Sequence, residues 1–472
     1  MRLRFLAVSL LCLVAANAGA QATRAQSGKS PELRVDFTRE TLSNGLNVIY
    51  HVDHSTPVAA VLLWYNVGSK MEQPGHTGFA HLFEHMMFKG SKNVADGQHW
   101  ALLEAAGGRA GNDINGTTSW DRTNYFEQVP SNQLELALWL ESDRMGTLTQ
   151  TLTQAKLDNQ REVVKNERRQ SVDNQPYGTW LEKAGEAMFP DGHPYHHSVI
   201  GSMADLTAAS VADVQNFFKT YYAPNNAVLV VAGDIDVPQA KAMVQKYFAP
   251  IPRGPVAPKL ANMNLPASMG TEQRIVVQDP LAPAPRVFVA YRVPPAKDRR
   301  AETVSVLAQI IGGGSSSRLD EALVRRQEIA TSVSGFNLGL ADGADMLTFI
   351  ATGKPGSSPD SLEKALLAEL AGTSSFTQSE IDRAKASQRF SFVDGLQTTG
   401  GFGGRADRLA EGWTFFHDPN HVNTVLADID RVTLNDVNAL AHERLVPTNR
   451  VILIYVPVKK AAAQTSSSTG AP

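Results

Sequence analysis

The chain has 472 residues, of which 43% are hydrophobic and 19% are charged, and its formal net charge is −3. This length and composition predict a folded protein of about two to four domains and exclude wholesale disorder. The near-balanced charge gives no support to nucleic-acid binding, which usually needs a basic stripe or excess. The single cysteine excludes a disulfide framework and a thiolate-rich zinc site. Any bound metal must therefore be held by His, Asp or Glu.

Residues 1–20 predict an export signal peptide. Arg2 and Arg4 precede an apolar run at 5–16, and small residues follow at the spacing of a cleavage site. The run is short for a membrane anchor, so we expect a chain exported to the periplasm, with no stable membrane span after cleavage. Cys12 lies inside the run, so the mature chain would contain no cysteine. The polar tail at 459–472 predicts disorder.

The N-terminal half, predicted to span 35–250, mixes β-branched apolar runs with helical periodicity. The first strands are predicted at 46–51 and 58–65, and the last strand at 227–233 is followed by a helix to 248. Between them we expect strands near 109–115 and 123–129 and helices at 77–90, 96–106, 132–147, 152–170, 176–188 and 210–222. Four prolines in 251–270 then predict a linker.

The C-terminal half, predicted to span 271–458, repeats this order of elements. Strands are predicted at 274–278, 287–293, 331–338, 345–352 and 451–456, with helices at 301–312 and 317–327 and through 360–446. Two α+β halves of similar construction are the simplest account of this repetition. The Gly-rich segment 400–404 predicts a flexible or closely packed bend.

The segment from Gly78 to Phe88 carries the most informative motif, His-Leu-Phe-Glu-His at 81–85. On a helix His81 and His85 are four residues apart and share one face. Two neutral imidazoles at this spacing can reach one zinc ion, and Glu84 is close enough to act on a water there. This is the inverted HxxEH order of a zinc hydrolase site. Zinc would activate the water and polarise a scissile carbonyl, and a carboxylate would move the proton.

A catalytic zinc site needs a third protein ligand and leaves one position for water. Without thiols, the candidates are Glu162 and Glu167 in a predicted helix, or the histidines of the segment His-Pro-Tyr-His-His at 193–197. Chemistry alone leaves this choice open.

The segment 75–90 around HLFEH resembles the signature of the pitrilysin peptidases, the family of insulin-degrading enzyme and mitochondrial processing peptidase. Further blocks are similar to that family at 107–126, 192–201, 222–234 and 312–319. The resemblance covers about 35–457 and implies two α/β-sandwich halves, with mainly antiparallel sheets packed by helices, that form half of a clam-shell chamber. It also implies a zinc endopeptidase of peptides or unfolded segments, with one Zn²⁺ per chain and Glu84 as general base.

The resemblance assigns individual residues as well. The family's distal ligand lies in an Arg-x-x-Val-x-x-Glu context, which implies Glu167 as the third ligand beside His81 and His85. A supporting Glu usually stands seven residues earlier, where this chain has Gln160, so that Gln160 and Glu162 are the candidates for that outer role. Asn115 and Gly116 match the edge strand that binds the substrate backbone, although Asn-Gly is also a common turn dipeptide.

The family commonly holds substrate with an Arg and a Tyr in the C-terminal half, and the matching positions here are Val324 and Thr331. Arg325 and Arg326 are adjacent, but no Tyr follows at the right distance. Some family members divide the zinc site and the Arg/Tyr pair between two chains. We therefore expect this chain to be the zinc-bearing subunit of a heterodimer with a paralogue that carries the pair, a homodimer being the alternative. The alternative function is a non-catalytic scaffold or peptide-binding core subunit.

Overall fold

The computed structural model describes residues 33–372 and 375–458. The predicted signal peptide at 1–20 and the predicted tail at 459–472 lie outside these described residues. From Val35 onwards the described chain forms one compact unit. Within it, no helix combines the length and the apolar character needed to cross a membrane.

The N-terminal half begins with three strands, continues with alternating helices and strands, and ends with a helix. Its elements are β1 (Thr38–Thr41), β2 (Asn47–Val52), β3 (Val58–Tyr65), α1 (Phe79–Met86), α2 (Gln98–Ala105), β4 (Ile114–Thr118), β5 (Thr123–Pro130), α3 (Leu134–Thr147), α4 (Gln154–Arg168), α5 (Trp180–Met188), α6 (Met203–Ala208), α7 (Val211–Tyr221), β6 (Ala227–Gly233) and α8 (Val237–Phe248).

The C-terminal half follows a segment at 251–270 that contains no helix or strand. Its elements are β7 (Gln273–Asp279), β8 (Arg286–Val293), α9 (Ala301–Gly312), β9 (Ala330–Asn337), β10 (Asp345–Gly353), α10 (Pro359–Ala371), α11 (Gln378–Gly395), α12 (Arg405–Phe416), α13 (Val425–Arg431), α14 (Leu434–Arg444) and β11 (Arg450–Pro457).

Two predicted elements differ in the structure, and two short elements were not predicted. The strand expected at 109–115 begins only at Ile114, because Asp113 accepts bonds from the backbone and guanidinium of Arg109 and closes a turn there. The helix expected at 317–327 is a wider π-helical turn over Asp320–Arg326. The short strand β1 and helix α6 were not predicted, since neither has enough residues to show a clear period.

Two sheets of matching topology form the framework. The first has the order β1-β2-β6-β3-β5-β4, and the second has the order β7-β11-β8-β10-β9. In each sheet one pair is parallel, β2 with β6 and β7 with β11, and the remaining pairs are antiparallel. With β1 set aside, the two orders superimpose strand for strand. This is the predicted α+β fold of two similar halves, and it places β4 and β9 at equivalent free edges.

Each sheet buries one face under helices of its own half and the other face under a helix of the opposite half. In the N-terminal half Leu63 of β3 packs with Phe83 of α1, while the other face carries Trp64 against Leu409 of α12. In the C-terminal half the outer helix is α5, whose Met188 packs with residues of β8 and β11. The two halves therefore share apolar layers, and this exchange fixes one half against the other.

A buried ion network also joins the halves. Lys70 of the N-terminal half lies 2.7 Å from Asp121 and 2.8 Å from Asp342 of the C-terminal half, and its side chain is only 3% exposed. The Tyr195 hydroxyl donates to Asp121 over 2.5 Å, and the same Asp121 accepts a bond from the backbone N–H of Ala341. Burial opposes the charge on Lys70, but the two carboxylates outweigh it and raise the Lys70 pKa.

Replacing Lys70 with methionine is expected to destabilise the fold by about 3–5 kcal/mol, because it leaves a buried Asp121 carboxylate without its cation. The matched control is Lys297→Met, which removes a partly exposed lysine from the same Asp342, 2.9 Å away. Exposed pairs contribute about 0–1 kcal/mol. Urea unfolding of both variants measures the difference, and equal losses of stability would contradict this role for Lys70.

Candidate active site

Helix α1 presents two faces of opposite character. Phe79, Leu82, Phe83 and Met86 are buried in the first core, as expected for apolar residues at helical spacing. The helix begins after Gly78, whose φ of 88° is in the left-handed region and whose position leaves no room for a Cβ, which would lie 2.7 Å from the carbonyl oxygen of Ile200. With its apolar side buried, the helix turns its imidazoles towards an open cavity.

The N-terminus of α1 is held by a buried carboxylate that sequence reasoning missed. Glu72 accepts hydrogen bonds from the backbone N–H groups of Gly78 and Ala80 at 2.8 and 2.7 Å. The imidazole of His197 lies 2.9 Å from the same carboxylate. Free backbone N–H groups at a helix N-terminus carry partial positive charge, so that an acidic group there stabilises the helix.

Helix α4 brings the third donor to the two histidines. It begins at the N-cap Thr153, whose side chain accepts a bond from Lys156 N, and Glu167 lies in its last turn. Glu167 Oε2 is 3.3 Å from His85 Nε2 and 3.7 Å from His81 Nε2, and the two imidazole nitrogens are 3.3 Å apart. These residues alone among those described form a group of three His, Cys, Asp or Glu side chains able to hold a metal ion.

The size of this triangle fits zinc. Zinc bonds to imidazole nitrogen and carboxylate oxygen measure about 2.0–2.1 Å, so that tetrahedral ligand atoms lie about 3.3–3.4 Å apart. Two of the separations, at 3.3 Å each, agree with that spacing, and the third, at 3.7 Å between His81 Nε2 and Glu167 Oε2, is slightly longer. The donor set of two imidazoles and one carboxylate is also one that zinc accepts. The three donors line a cavity of about 680 Å³. This cavity leaves room for water or substrate at the fourth coordination position.

Of the three donors, His81 and Glu167 have the charge states that metal binding requires, whereas a charged His85 must release its proton to bind a metal. Burial lowers the pKa of His81 to about 4, and the neighbouring His85 acts in the same direction. The hydrogen bond from His85 holds the pKa of Glu167 below its usual range, against the effect of burial. Burial opposes the charged form of His85, but Glu167 and Glu84 outweigh it and raise its pKa. A neutral His81 and an ionised Glu167 are the forms that metal binding requires.

Glu84 lies between the histidine pair and strand β4. It is 8% exposed, and Thr118 Oγ donates a hydrogen bond to its Oε2 over 2.7 Å. Burial raises the pKa of Glu84, and the hydrogen bond from Thr118 opposes that rise. Gly116 packs on the same side chain, because a Cβ at this position would lie 3.3 Å from Glu84 Cγ and 3.0 Å from a Tyr125 ring carbon. The absent side chain at Gly116 thus makes room for Glu84.

Strand β4 forms a free edge of the sheet beside these groups. The backbone N–H of Ser119 donates to the Arg122 carbonyl across the hairpin. Because such bonds alternate along an antiparallel ladder, Gly116 and Thr118 direct their backbone groups away from the sheet. Asn115 lies in this strand and not in a turn, and its Oδ1 accepts a bond from Gly116 N over 2.9 Å.

The remaining predicted residues differ in their distance from the cavity. Gln160 lines it beside His85 and favours the charged form of that imidazole, while its own Nε2 donates to Asn159 Oδ1 over 2.8 Å. Glu162 is not brought to the site: its side chain is 57% exposed and pairs with Lys165 at 3.0 Å. In the rival segment 193–197 the histidines make other contacts, since His193 stacks on Phe189 and His197 binds Glu72.

Comparison with known proteins agrees with this geometry. Residues 47–199 match the family model described as Insulinase (Peptidase family M16), and residues 208–388 match the model of the Peptidase M16 inactive domain. The zinc protease PqqE of Helicobacter pylori is 31% identical over 376 residues, which cover 79% of this chain and 83% of that protein. The chain belongs to peptidase family M16. The predicted resemblance to the pitrilysin peptidases is confirmed.

Solved structures share the fold of this M16 chain. A protease from Helicobacter pylori superimposes with a TM-score of 0.82 at 28% identity, over 90% of this chain and 100% of that one. The periplasmic protease PqqL from Escherichia coli gives a TM-score of 0.73 at 20% identity, over 90% of this chain but only 48% of PqqL. The M16 architecture of two helix-packed sheets is therefore common to all three, and one PqqL chain is about twice as long as the part matched here.

Proposed function

We propose that this M16 chain is a zinc-dependent endopeptidase that hydrolyses peptides or unfolded polypeptide segments. The observation that carries the proposal is the triangle of His81, His85 and Glu167, at zinc-ligand separations, directly beside the buried carboxylate of Glu84. One zinc ion per chain would be held by the three donors. When bound, zinc would polarise the scissile carbonyl and lower the pKa of the attacking water.

The chain's own residues would supply binding and proton transfer. Glu84 would accept the proton of the attacking water and later deliver it to the leaving amine nitrogen. Its position in the wall of the cavity, with Oε2 bonded to Thr118, leaves the other carboxylate oxygen for that transfer. Gln160, which lies beside His85 in the cavity wall, would help to orient that imidazole.

Substrate would bind by strand addition at the free edge of β4. An extended peptide can pair with the outward backbone groups of Gly116 and Thr118, which lie in the wall of the cavity. The bond from Gly116 N to Asn115 Oδ1 occupies one of these groups, so the Asn115 side chain must move when a peptide pairs there. Extended peptides and unfolded segments expose the backbone groups that this pairing needs, which makes them the expected substrates.

A partner subunit and export complete the proposal. The M16 fold of this chain covers 48% of the periplasmic protease PqqL, which supports a working enzyme of two such chains. Val324 and Thr331 stand where an Arg/Tyr pair would hold substrate, so that a paralogue carrying the pair would form the heterodimer. The predicted signal at 1–20 supports a periplasmic location.

Incubating the purified chain with an unstructured peptide, alone and with a co-expressed paralogue, tests this function. We expect fragments that differ from the substrate by one water, seen by mass spectrometry. A chelator should stop their formation, and added zinc should restore it. A zinc-loaded chain that binds peptide but yields no fragments in either case would instead indicate a scaffold.

A further inference from the structure

Glu84 has one hydrogen-bond donor among the residues at 33–372 and 375–458, and that donor is Thr118. The side chain of a glutamate rotates about three bonds, so a carboxylate without a fixed partner samples many orientations. Within the described part of the chain, no lysine or arginine lies within hydrogen-bonding distance of Glu84, and Arg122 acts on it only through its charge. The orientation of this carboxylate therefore depends on a single hydroxyl.

Thr118 lies in β4 where its side chain reaches Glu84 and its backbone can pair with a bound peptide. Its side chain shares a face of the strand with Gly116, two residues earlier, and both touch Glu84. Its backbone groups point to the free edge, as the bond between Ser119 and Arg122 requires. One residue thus connects the strand that would receive the peptide with the group that would take the proton.

The opposite face of β4 makes the position of Thr118 rigid. Thr117 Oγ lies 2.6 Å from Asn124 Oδ1, and Arg122 donates to the Thr117 carbonyl over 3.0 Å. The Arg122 guanidinium also lies 5.1 Å from the centre of the Trp64 ring. A strand held from behind in this way keeps the Thr118 hydroxyl at a fixed distance from α1.

We propose that Thr118 is a positioning residue that orients the general base. Its hydroxyl holds Oε2 of Glu84 and turns the second carboxylate oxygen to the cleft, where the attacking water would bind. This inference rests on the proposed function for its effect on turnover, but the orientation of Glu84 can be observed without turnover.

The test compares Thr118→Val, which keeps the shape and removes the hydroxyl, with Thr118→Ser, which keeps the hydroxyl. The free energy of a hydrogen bond to a charged group corresponds to a loss of about 10- to 100-fold in kcat for Thr118→Val. Thr118→Ser should restore kcat to within about threefold of the wild type. Zinc affinity should be similar in the two variants, because neither change touches a proposed ligand.

A double-mutant cycle separates positioning from a merely structural role. If Thr118 acts through Glu84, then Thr118→Val should have less than about a twofold effect in a Glu84→Gln background. If Thr118→Val instead reduces kcat by the same factor in both backgrounds, the inference would be overturned. Thr118 would then act through the strand or the peptide.

Crystal structures of the zinc-loaded variants give the independent readout. The Glu84 carboxylate should keep its orientation in Thr118→Ser and turn away or become disordered in Thr118→Val. An unmoved carboxylate in Thr118→Val would overturn the inference even if turnover fell. A wild-type chain without peptidase activity, but with Glu84 moving as expected, would contradict the proposed function and leave the role of Thr118 standing.

Discussion

Replacing Glu84 with glutamine is expected to reduce kcat for peptide hydrolysis by about 10²- to 10⁴-fold, the range for loss of a general base. Glutamine has nearly the same shape, and its amide oxygen can still accept the bond that Thr118 makes to Oε2. What it lacks is the ability to accept a proton. Because Glu84 is not one of the three donors of the triangle, the variant should still bind one zinc ion per chain.

Zinc content and initial rates measured on the same protein samples test this result. The informative control is the wild-type chain prepared in parallel, at equal zinc occupancy. Undiminished hydrolysis by a zinc-loaded Glu84→Gln variant would show that another group takes the proton. Loss of zinc from the variant would show that Glu84 is itself a ligand, which the geometry of the triangle does not predict.

Replacing Glu167 with glutamine is expected to weaken zinc binding more than about 100-fold, beyond the range seen when an outer hydrogen-bond partner of a ligand is lost. Glu167 is the only anionic donor of the triangle, and it lies 3.3 Å from His85 Nε2 and 3.7 Å from His81 Nε2. An amide oxygen is a weaker zinc ligand than a carboxylate oxygen. Because the amide is uncharged, no donor of the triangle would then offset the positive charge of the zinc ion. Competition with a chromophoric chelator measures the affinity.

Glu162→Gln is the matched control for this experiment. It makes the same substitution on the same helix α4, but its side chain is 57% exposed and bonds Lys165. We expect its zinc affinity to stay within about twofold of the wild type, since an exposed pair of this kind contributes little. Equal effects of the two substitutions would mean that the net charge of α4, and not ligation by Glu167, governs zinc binding.

The part of the site that lies on one element was predictable from the sequence. His81, Glu84 and His85 owe their common face to helical spacing, and the apolar residues between them dictate which side of α1 is buried. Zinc chemistry then follows from the residue types. The two-halved fold was predictable for a similar reason, because strands such as β3 and β8 are long apolar runs with clear ends.

The parts that depend on packing between elements were not predictable from the residues. Spacing alone could not choose Glu167 over Glu162, since both lie on α4 and only the contact with α1 distinguishes them. That choice came from the family resemblance. Thr118 gave no signal of its own, because its contact with Glu84 joins β4 to a distant helix. Asn115 was also compatible with a turn until the register with β5 was known.

The segment 193–197 shows the same limit for residues that were candidate ligands but do not reach the site. Its histidines have the chemistry of metal ligands, but the fold uses them for packing and capping. His197 reaches Glu72, which in turn caps α1, so this imidazole would act on the site only through the helix. Residue types in a sequence cluster thus indicate which chemistry is possible. They do not indicate which part of the fold the side chains will contact.

Titration of the metal-free chain with zinc, while peptide hydrolysis is recorded, tests whether His81, His85 and Glu167 form one catalytic zinc site. We expect no hydrolysis without zinc, a rate that rises in proportion to added zinc, and a break at one equivalent per chain, in the presence of the paralogue if that subunit is needed. The Glu84→Gln variant should bind the same one equivalent with no comparable rate. Hydrolysis that does not depend on zinc, or a break at another ratio, would contradict a single site built from His81, His85 and Glu167.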